Sequence, residues 1–262
     1  MRISGATVLL TGVTGGIGGA LAAGLAGLGA KLVVSGRREE ALAPVAERYG
    51  ARAVLADLAD ASDVERLARE AADADVLVAN AALPSSGDLL EYTPEQIDRA
   101  FAVNLRAPAV LARLMAPAMV EAGRGHLVFV GSISGKAATR SASLYSGTKF
   151  GLRGFALGLR QDLRGTGVGV SVVQPGFVRE AGMFAETGAR PPAGMRTVSP
   201  RQVVRGVVRA VERDVAELNV APLELRLLSA VAGQFPGFAE RVQRGAGEAT
   251  LRQVVAAQRS RR

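Results

Sequence analysis

Seven short apolar runs recur along this chain with helical patterns between them, and that alternation constrains the fold more than any other feature. The runs are ATVLL (6–10), KLVVS (31–35), ARAVLA (51–56), DVLVA (75–79), HLVFVGS (126–132) and GVSVVQ (169–174), with AELNVAP (216–222) a candidate edge strand. Strands with one wet face alternate polar with apolar residues. These do not, so they fit strands covered on both faces. Helical patterns occupy about 16–29, 38–49, 60–73, 94–121, 143–164 and 199–213. TPEQ (93–96) and SPRQ (199–202) each set a capping hydroxyl, Thr93 or Ser199, before a proline, with a glutamine closing the first turn. Repeated strand–helix–strand units predict an α/β fold: one domain with a doubly wound, mostly parallel sheet of about seven strands and helices on both faces. Residues 1–222 form the sheet-bearing part, and 223–262 read as a helical extension with a basic tail. The irregular stretch 177–198 is too long for an ordinary connection and reads as a lid over a substrate.

Composition excludes several functions. The chain has 262 residues, no cysteine and one histidine, so disulfides, thiolate chemistry and a transition-metal site are not expected. The lack of cysteine fits a reducing cytoplasm. The net charge is +8, but from Arg241 onward six Arg and one Glu account for most of it. No basic stretch is interleaved with aromatics, so a nucleic-acid partner is not expected. Residues 3–30 carry no charge, yet their many glycines leave neither a membrane span nor a secretory signal. Residues 223–245 are partly amphipathic, and a docking helix is favoured over membrane association.

TGVTGGIGG (11–19) follows the first strand and opens the first helix. Glycines there let the backbone turn tightly and approach a pyrophosphate, which the helix N-terminus attracts. Thr11, Gly12, Thr14, Gly15, Gly16, Ile17 and Gly18 are the residues so placed. The residues just after the second strand select the cofactor: an acidic one bonds the ribose hydroxyls of NAD, whereas arginine accommodates the 2′-phosphate of NADP. Here Gly36 is succeeded by Arg37 and Arg38, whose planar forks suit phosphate. NADP(H) is therefore preferred, with NAD(H) open as the alternative because Glu39 and Glu40 could neutralise both arginines.

In LYSGTKF (144–150), Tyr145 and Lys149 lie one above the other on a helix face. A phenol is a poor acid–base catalyst at neutral pH. A cation about 4 Å away, at an effective dielectric near 20, contributes roughly 4 kcal/mol, about three pKa units at most. Ser132 ends the strand LVFVGS, where a hydroxyl would face the ligand crevice and could hold a carbonyl oxygen as charge develops on it. Ser134 is the nearby alternative. His126, at a strand start, reads as a packing residue.

The spacing T-G-x-x-x-G-x-G, with Tyr145-x-x-x-Lys149 and Ser132 thirteen residues before the tyrosine, resembles the short-chain dehydrogenase/reductase family. The resemblance covers most of the chain and implies a Rossmann-like fold. It further implies that Asp57, with Leu58 beside it in LADL, lies near the adenine amino group, and that Asn80 in VANAA belongs to the family's N-N-A-G segment, with Ala79 and Ala82 as departures. Asn104 in FAVNL matches the asparagine that holds a water in the family's proton relay, and a buried structural amide is its other reading. Pro175, Gly176 and Val178 in QPGFVRE match the segment at the nicotinamide end, with Glu180 standing where a Thr is expected. Asn104, Ser132, Tyr145 and Lys149 then form the catalytic set, and Tyr145 and Lys149 also touch the cofactor. The expected activity is NADP(H)-dependent hydride transfer between nicotinamide and a carbonyl or secondary alcohol substrate, in a homodimer or homotetramer. A non-catalytic NAD(P)-sensing or scaffold protein on the same fold is the competing reading.

Overall fold

The computed structural model describes residues 1–189, 191, 195–243 and 248–258. Its strands are β1 (Thr7–Thr11), β2 (Lys31–Gly36), β3 (Arg52–Leu55), β4 (Val76–Ala79), β5 (Gly125–Val130), β6 (Val168–Pro175) and β7 (Glu217–Val220). They form one seven-stranded sheet in the order β3-β2-β1-β4-β5-β6-β7, and every pairing is parallel. The helices are α1 (Gly16–Gly27), α2 (Glu39–Tyr49), α3 (Ala61–Glu70), α4 (Pro94–Phe101), α5 (Ala107–Glu121), α6 (Ser143–Asp162), α7 (Pro200–Arg213), α8 (Leu223–Gln234), α9 (Pro236–Gln243) and α10 (Glu248–Gln258).

Successive strand side chains point to opposite faces, and here both faces are dry. Leu9, Leu77, Leu127 and Phe129 enter one core together with Leu67 of α3, Leu111 of α5 and Leu152 of α6. Val8, Leu10, Val76 and Val128 enter the other with Leu21 and Leu25 of α1 and Val203 and Val207 of α7. That two-sided burial is why the strand sequences are apolar without alternating. Both capping boxes form: Thr93 and Ser199 accept from the backbone of Gln96 and Gln202, whose side chains reach back to the cap residues.

Three expected boundaries shift. The single helix expected over 94–121 is two helices joined by a π-helical turn, Ala102–Arg106. The strand expected to end at Ser132 ends at Val130, and Ser132 is the extended residue before a 3-10 turn, Ile133–Gly135. The segment 223–245 breaks at Phe235–Pro236, because proline cannot continue a helix in register. The segment 177–198 is tied near its two ends by an isolated bridge between Val178 and Val198 and holds a 3-10 turn, Ala185–Thr187. Its positions 190 and 192–194, and the basic tail 259–262, lie outside the described residues. Among the described residues, no helix is long and apolar enough to cross a membrane.

The strand order reverses between β1 and β4, and in open parallel sheets the crevice outside the strand C-termini at such a point is where ligands bind. The glycine turn is placed there.

Candidate active site

Gly12 turns the chain with φ +68°, and a Cβ there would meet the Cα of Ala81 at 2.7 Å. A Cβ on Gly18 would overlap the Gly12 carbonyl oxygen. The turn thus closes on itself and on the end of β4 as only glycine permits. The buried Thr11 hydroxyl accepts from the backbone N–H groups of Asn80 and Ala81, both at 3.1 Å. The Asn80 amide donates back to the carbonyl oxygens of Thr11 at 3.1 Å and Gly12 at 3.2 Å. Thr11 and Asn80 therefore staple the ends of β1 and β4 and set the shape of the cleft.

A cavity of about 250 Å³ runs from this turn across the ends of β2, β3 and β4. Thr14, Gly15, Gly16, Ile17 and Gly18 form its near wall, and Gly36, Arg37, Asp57 and Leu58 its far end. Helix α1 begins here with no capping side chain and no acidic residue in its first turn. The first N–H groups of that helix carry the positive end of its dipole, and the missing side chains clear a path to them. The cradle fits the pyrophosphate of a dinucleotide.

The two arginines part company. Arg37 lines the cavity, whereas Arg38 is absent from its wall and sits 3.8 Å from Glu40 on the exposed surface. Asp57 is less free than its place in LADL implies. Its carboxylate accepts from Arg99 at 2.8 Å and from the Ala59 N–H at 3.0 Å. Burial pushes this carboxyl up, but the Ala59 bond and the Arg99 guanidinium more than offset it and hold it below the ordinary aspartate value.

The cavity wall continues through Ala81, Leu83 and Val103, and Asn104, Ser132, Tyr145 and Lys149 are absent from it. Asn104 lies in the π-helical turn, a distortion that often marks functional positions in helices. Its Oδ1 accepts from the Leu83 N–H at 2.7 Å, and its Nδ2 donates to the Leu83 carbonyl at 3.1 Å and to Thr148 Oγ1 at 3.4 Å. The amide thereby ties the cleft wall to α6, one residue from Lys149.

Tyr145 and Lys149 leave α6 on the same face. The Tyr145 hydroxyl lies beside the Ser132 side chain. Ser132 Oγ also accepts from the Ser134 N–H at 3.1 Å, so Ser134 supports Ser132 through its backbone. The pairing is possible because Gly135 lets the turn lie flush on α6: a Cβ there would meet the Lys149 carbonyl oxygen at 2.7 Å. Burial pushes the Tyr145 phenol above its ordinary value, and the neighbouring Ser132 hydroxyl pulls it the other way. Lys149 is buried, its Nζ donates to the Val130 carbonyl at 3.0 Å, and burial lowers its pKa to about 8. That ammonium lies 5.8 Å from the centre of the Tyr145 ring.

The end of β6 and the residues after it lie against α8 and α7. Pro175, Gly176 and Val178 are absent from the cavity wall. Gly176 backs onto α8, where a Cβ would meet Leu225 Cδ2 at 2.9 Å, and Val178 is buried in the core on the α7 side. Glu180 is exposed, has φ +69° and pairs with Arg179 at 2.9 Å. Behind the site lies a charged cluster that no motif signals. Glu217 of β7 receives Arg153 through two bonds of 3.0 Å, Lys136 at 3.1 Å, and the Gln174 amide. Burial pushes the Glu217 carboxyl up, but these partners outweigh it and bring the pKa to about 2. His126 is buried with Nε2 2.8 Å from Ser171 Oγ, the packing role its position predicts.

Comparison with known proteins agrees with this geometry. The short chain dehydrogenase family model matches residues 6–191. Ketoacyl reductase HetN of Nostoc sp. is 33% identical over 259 residues, covering 94% of this chain and 90% of that protein. A short-chain dehydrogenase from Sphingobium yanoikuyae, solved in complex with NADPH, is 28% identical with a TM-score of 0.76, covering 93% of this chain and 99% of that one. One from Burkholderia cenocepacia, solved with NADP, is 26% identical with a TM-score of 0.79, covering 92% and 99%. With the glycine cradle, the parallel sheet and these matches together, the chain belongs to the short-chain dehydrogenase family of oxidoreductases.

Proposed function

We propose that this protein is an NADP(H)-dependent reductase of carbonyl compounds, or in reverse a dehydrogenase of secondary alcohols. The observation that carries the reading is the gathering of Tyr145, Ser132 and the buried Lys149 where α6 meets the end of β5.

The glycine turn and the N-terminus of α1 would hold the pyrophosphate, Arg37 the 2′-phosphate, Asp57 and Leu58 the adenine end, and Lys149 the nicotinamide ribose hydroxyls. When bound, the reduced nicotinamide supplies the hydride. Ser132 offers a hydroxyl to the substrate carbonyl oxygen and stabilises the negative charge that develops there. Tyr145 donates the proton to that oxygen. Its raised pKa keeps the phenol protonated at neutral pH, the form that reduction requires. Lys149, largely protonated at pH 7 with a pKa of about 8, places a cation where a developing phenolate needs one. Asn104, fixed between Leu83 and Thr148, holds the cleft wall and α6 in register for proton resupply through water.

The names of the relatives support the same class: one is a ketoacyl reductase, and two of the similar structures hold NADPH or NADP. A dimer or tetramer through α6 accords with Phe150 standing 41% exposed and with open space around Gly154 and Gly158. The test is a titration of the purified protein with NADPH and NADH, followed by cofactor fluorescence. Tighter NADPH binding supports the reading. Tighter NADH binding rejects the assignment of Arg37, and binding of neither rejects the enzyme.

A further inference from the structure

The C-terminal helix α10 lies well beyond the residues matched by the family model, yet it reaches the nucleotide cleft. It packs against the Ala185–Thr187 turn, and Ala257 and Gln258 line the same cavity as Gly16 and Asp57. Gln258 is buried, with 6% of its surface exposed, and its Oε1 has no hydrogen-bond partner among the described residues. Burying an amide oxygen without a donor is unfavourable. Two other buried side-chain atoms lack partners among the described residues, Ser146 Oγ and Gln174 Oε1, and neither residue lines the cavity. Gln258 alone of the three faces the space where a ligand could satisfy it.

We propose that Gln258 is a cofactor-binding residue and that α10 is a C-terminal clasp on the nucleotide cleft. The inference rests on the reading of that cleft as a dinucleotide site. The chemistry of the unpartnered atom selects the part of the ligand it meets. A carbonyl oxygen accepts, so it takes an N–H or O–H donor. The pyrophosphate and the ester phosphates offer only acceptors when ionised, whereas the ribose hydroxyls, the adenine amino group and the nicotinamide carboxamide all donate. Gln258 therefore complements the glycine turn, which donates to the phosphates from the opposite wall. Because α10 rests on the Ala185–Thr187 turn, seating the nucleotide against Gln258 orders both elements together.

The test uses the full chain, wild type and Gln258→Leu, titrated with NADPH by fluorescence. The leucine variant is expected to bind NADPH about five- to tenfold more weakly, the value of one buried hydrogen bond. Its unliganded melting temperature should be unchanged or higher, because the unpartnered oxygen is gone. Equal affinity in the two proteins overturns the proposal. A second measurement needs no variant: hydrogen exchange in residues 254–258 should slow when NADPH is added to the wild type, and unchanged exchange there overturns the clasp. Calorimetry with 2′-phospho-ADP-ribose, which lacks nicotinamide, locates the donor. A loss that persists with that ligand assigns the donor to the adenine amino group or a ribose hydroxyl, and a loss confined to NADPH assigns it to the nicotinamide carboxamide. If wild type binds no nucleotide, the dinucleotide reading itself fails, a result visible before any variant is made.

Discussion

Lys149 donates to the Val130 carbonyl oxygen at 3.0 Å from inside the protein, where burial brings its pKa to about 8. A charge held against its solvation preference stabilises a reaction at the expense of the fold. Lys149→Met should therefore abolish turnover while making the unliganded protein more stable at pH 7, by about 1–2 kcal/mol once the lost Val130 bond is deducted. Below pH 8 the native lysine must carry its charge while buried, a penalty the unfolded chain avoids. The difference between the two proteins should shrink as pH rises from about 8 to 10.5. Denaturant titrations at several pH values check the sign and the window.

His126 gives the opposite end of the pH scale. Burial is the main cause of its pKa falling from 6.5 to about 4, so the unfolded chain binds a proton that the native state refuses. The stability this confers is complete above pH 6.5 and is lost as pH falls towards 4, on the order of 3 kcal/mol in total. His126→Asn should flatten that slope. The Glu217 window lies lower, between 4.5 and about 2, so the two contributions separate on the pH axis.

The glycines of the turn should fail in different ways. Gly18→Ala drives a methyl into the Gly12 carbonyl and should cost about 1–3 kcal/mol of stability along with nucleotide binding. In Gly16→Ala the methyl meets the Gly182 nitrogen at 2.5 Å, so the segment carrying Gly182 and not the turn must yield. The second variant should keep its melting temperature more nearly than the first. Thermal melts with and without NADPH distinguish them.

Arg37 and Arg38 offer an internal control. Arg37→Ala should weaken NADPH binding about tenfold, the loss of one charge-assisted phosphate contact, and leave NADH binding unchanged. Arg38→Ala should change neither, because Arg38 sits beside Glu40 outside the cavity. Fluorescence titrations of both variants provide the comparison.

The layering of the fold was legible because strands buried on two faces have no other way to be written than as unbroken apolar runs. The capping boxes were legible because each is a local pattern of four residues. The π-helical turn at Asn104 was not: VNLR is compatible with an ordinary helix, and the extra residue is fixed by the amide's bonds to Leu83 and Thr148. The reach of Arg99 to Asp57, forty-two positions away, likewise depends on how α4 packs. Gln258 carried no signal in the sequence, since a glutamine near a basic tail reads as solvated surface. The separation of Arg37, on the cavity wall, from Arg38, beside Glu40, depends on neighbours that the dipeptide does not reveal.

The central claim is that Tyr145 gives the carbonyl oxygen its proton, and the most direct measurement is the turnover of Tyr145→Phe at saturating NADPH on an accepted carbonyl substrate. The variant keeps the ring and removes the acid. Turnover should fall by about 100- to 10,000-fold, the contribution of a positioned general acid, while NADPH affinity stays close to that of the wild type. Full turnover in that variant would contradict the account.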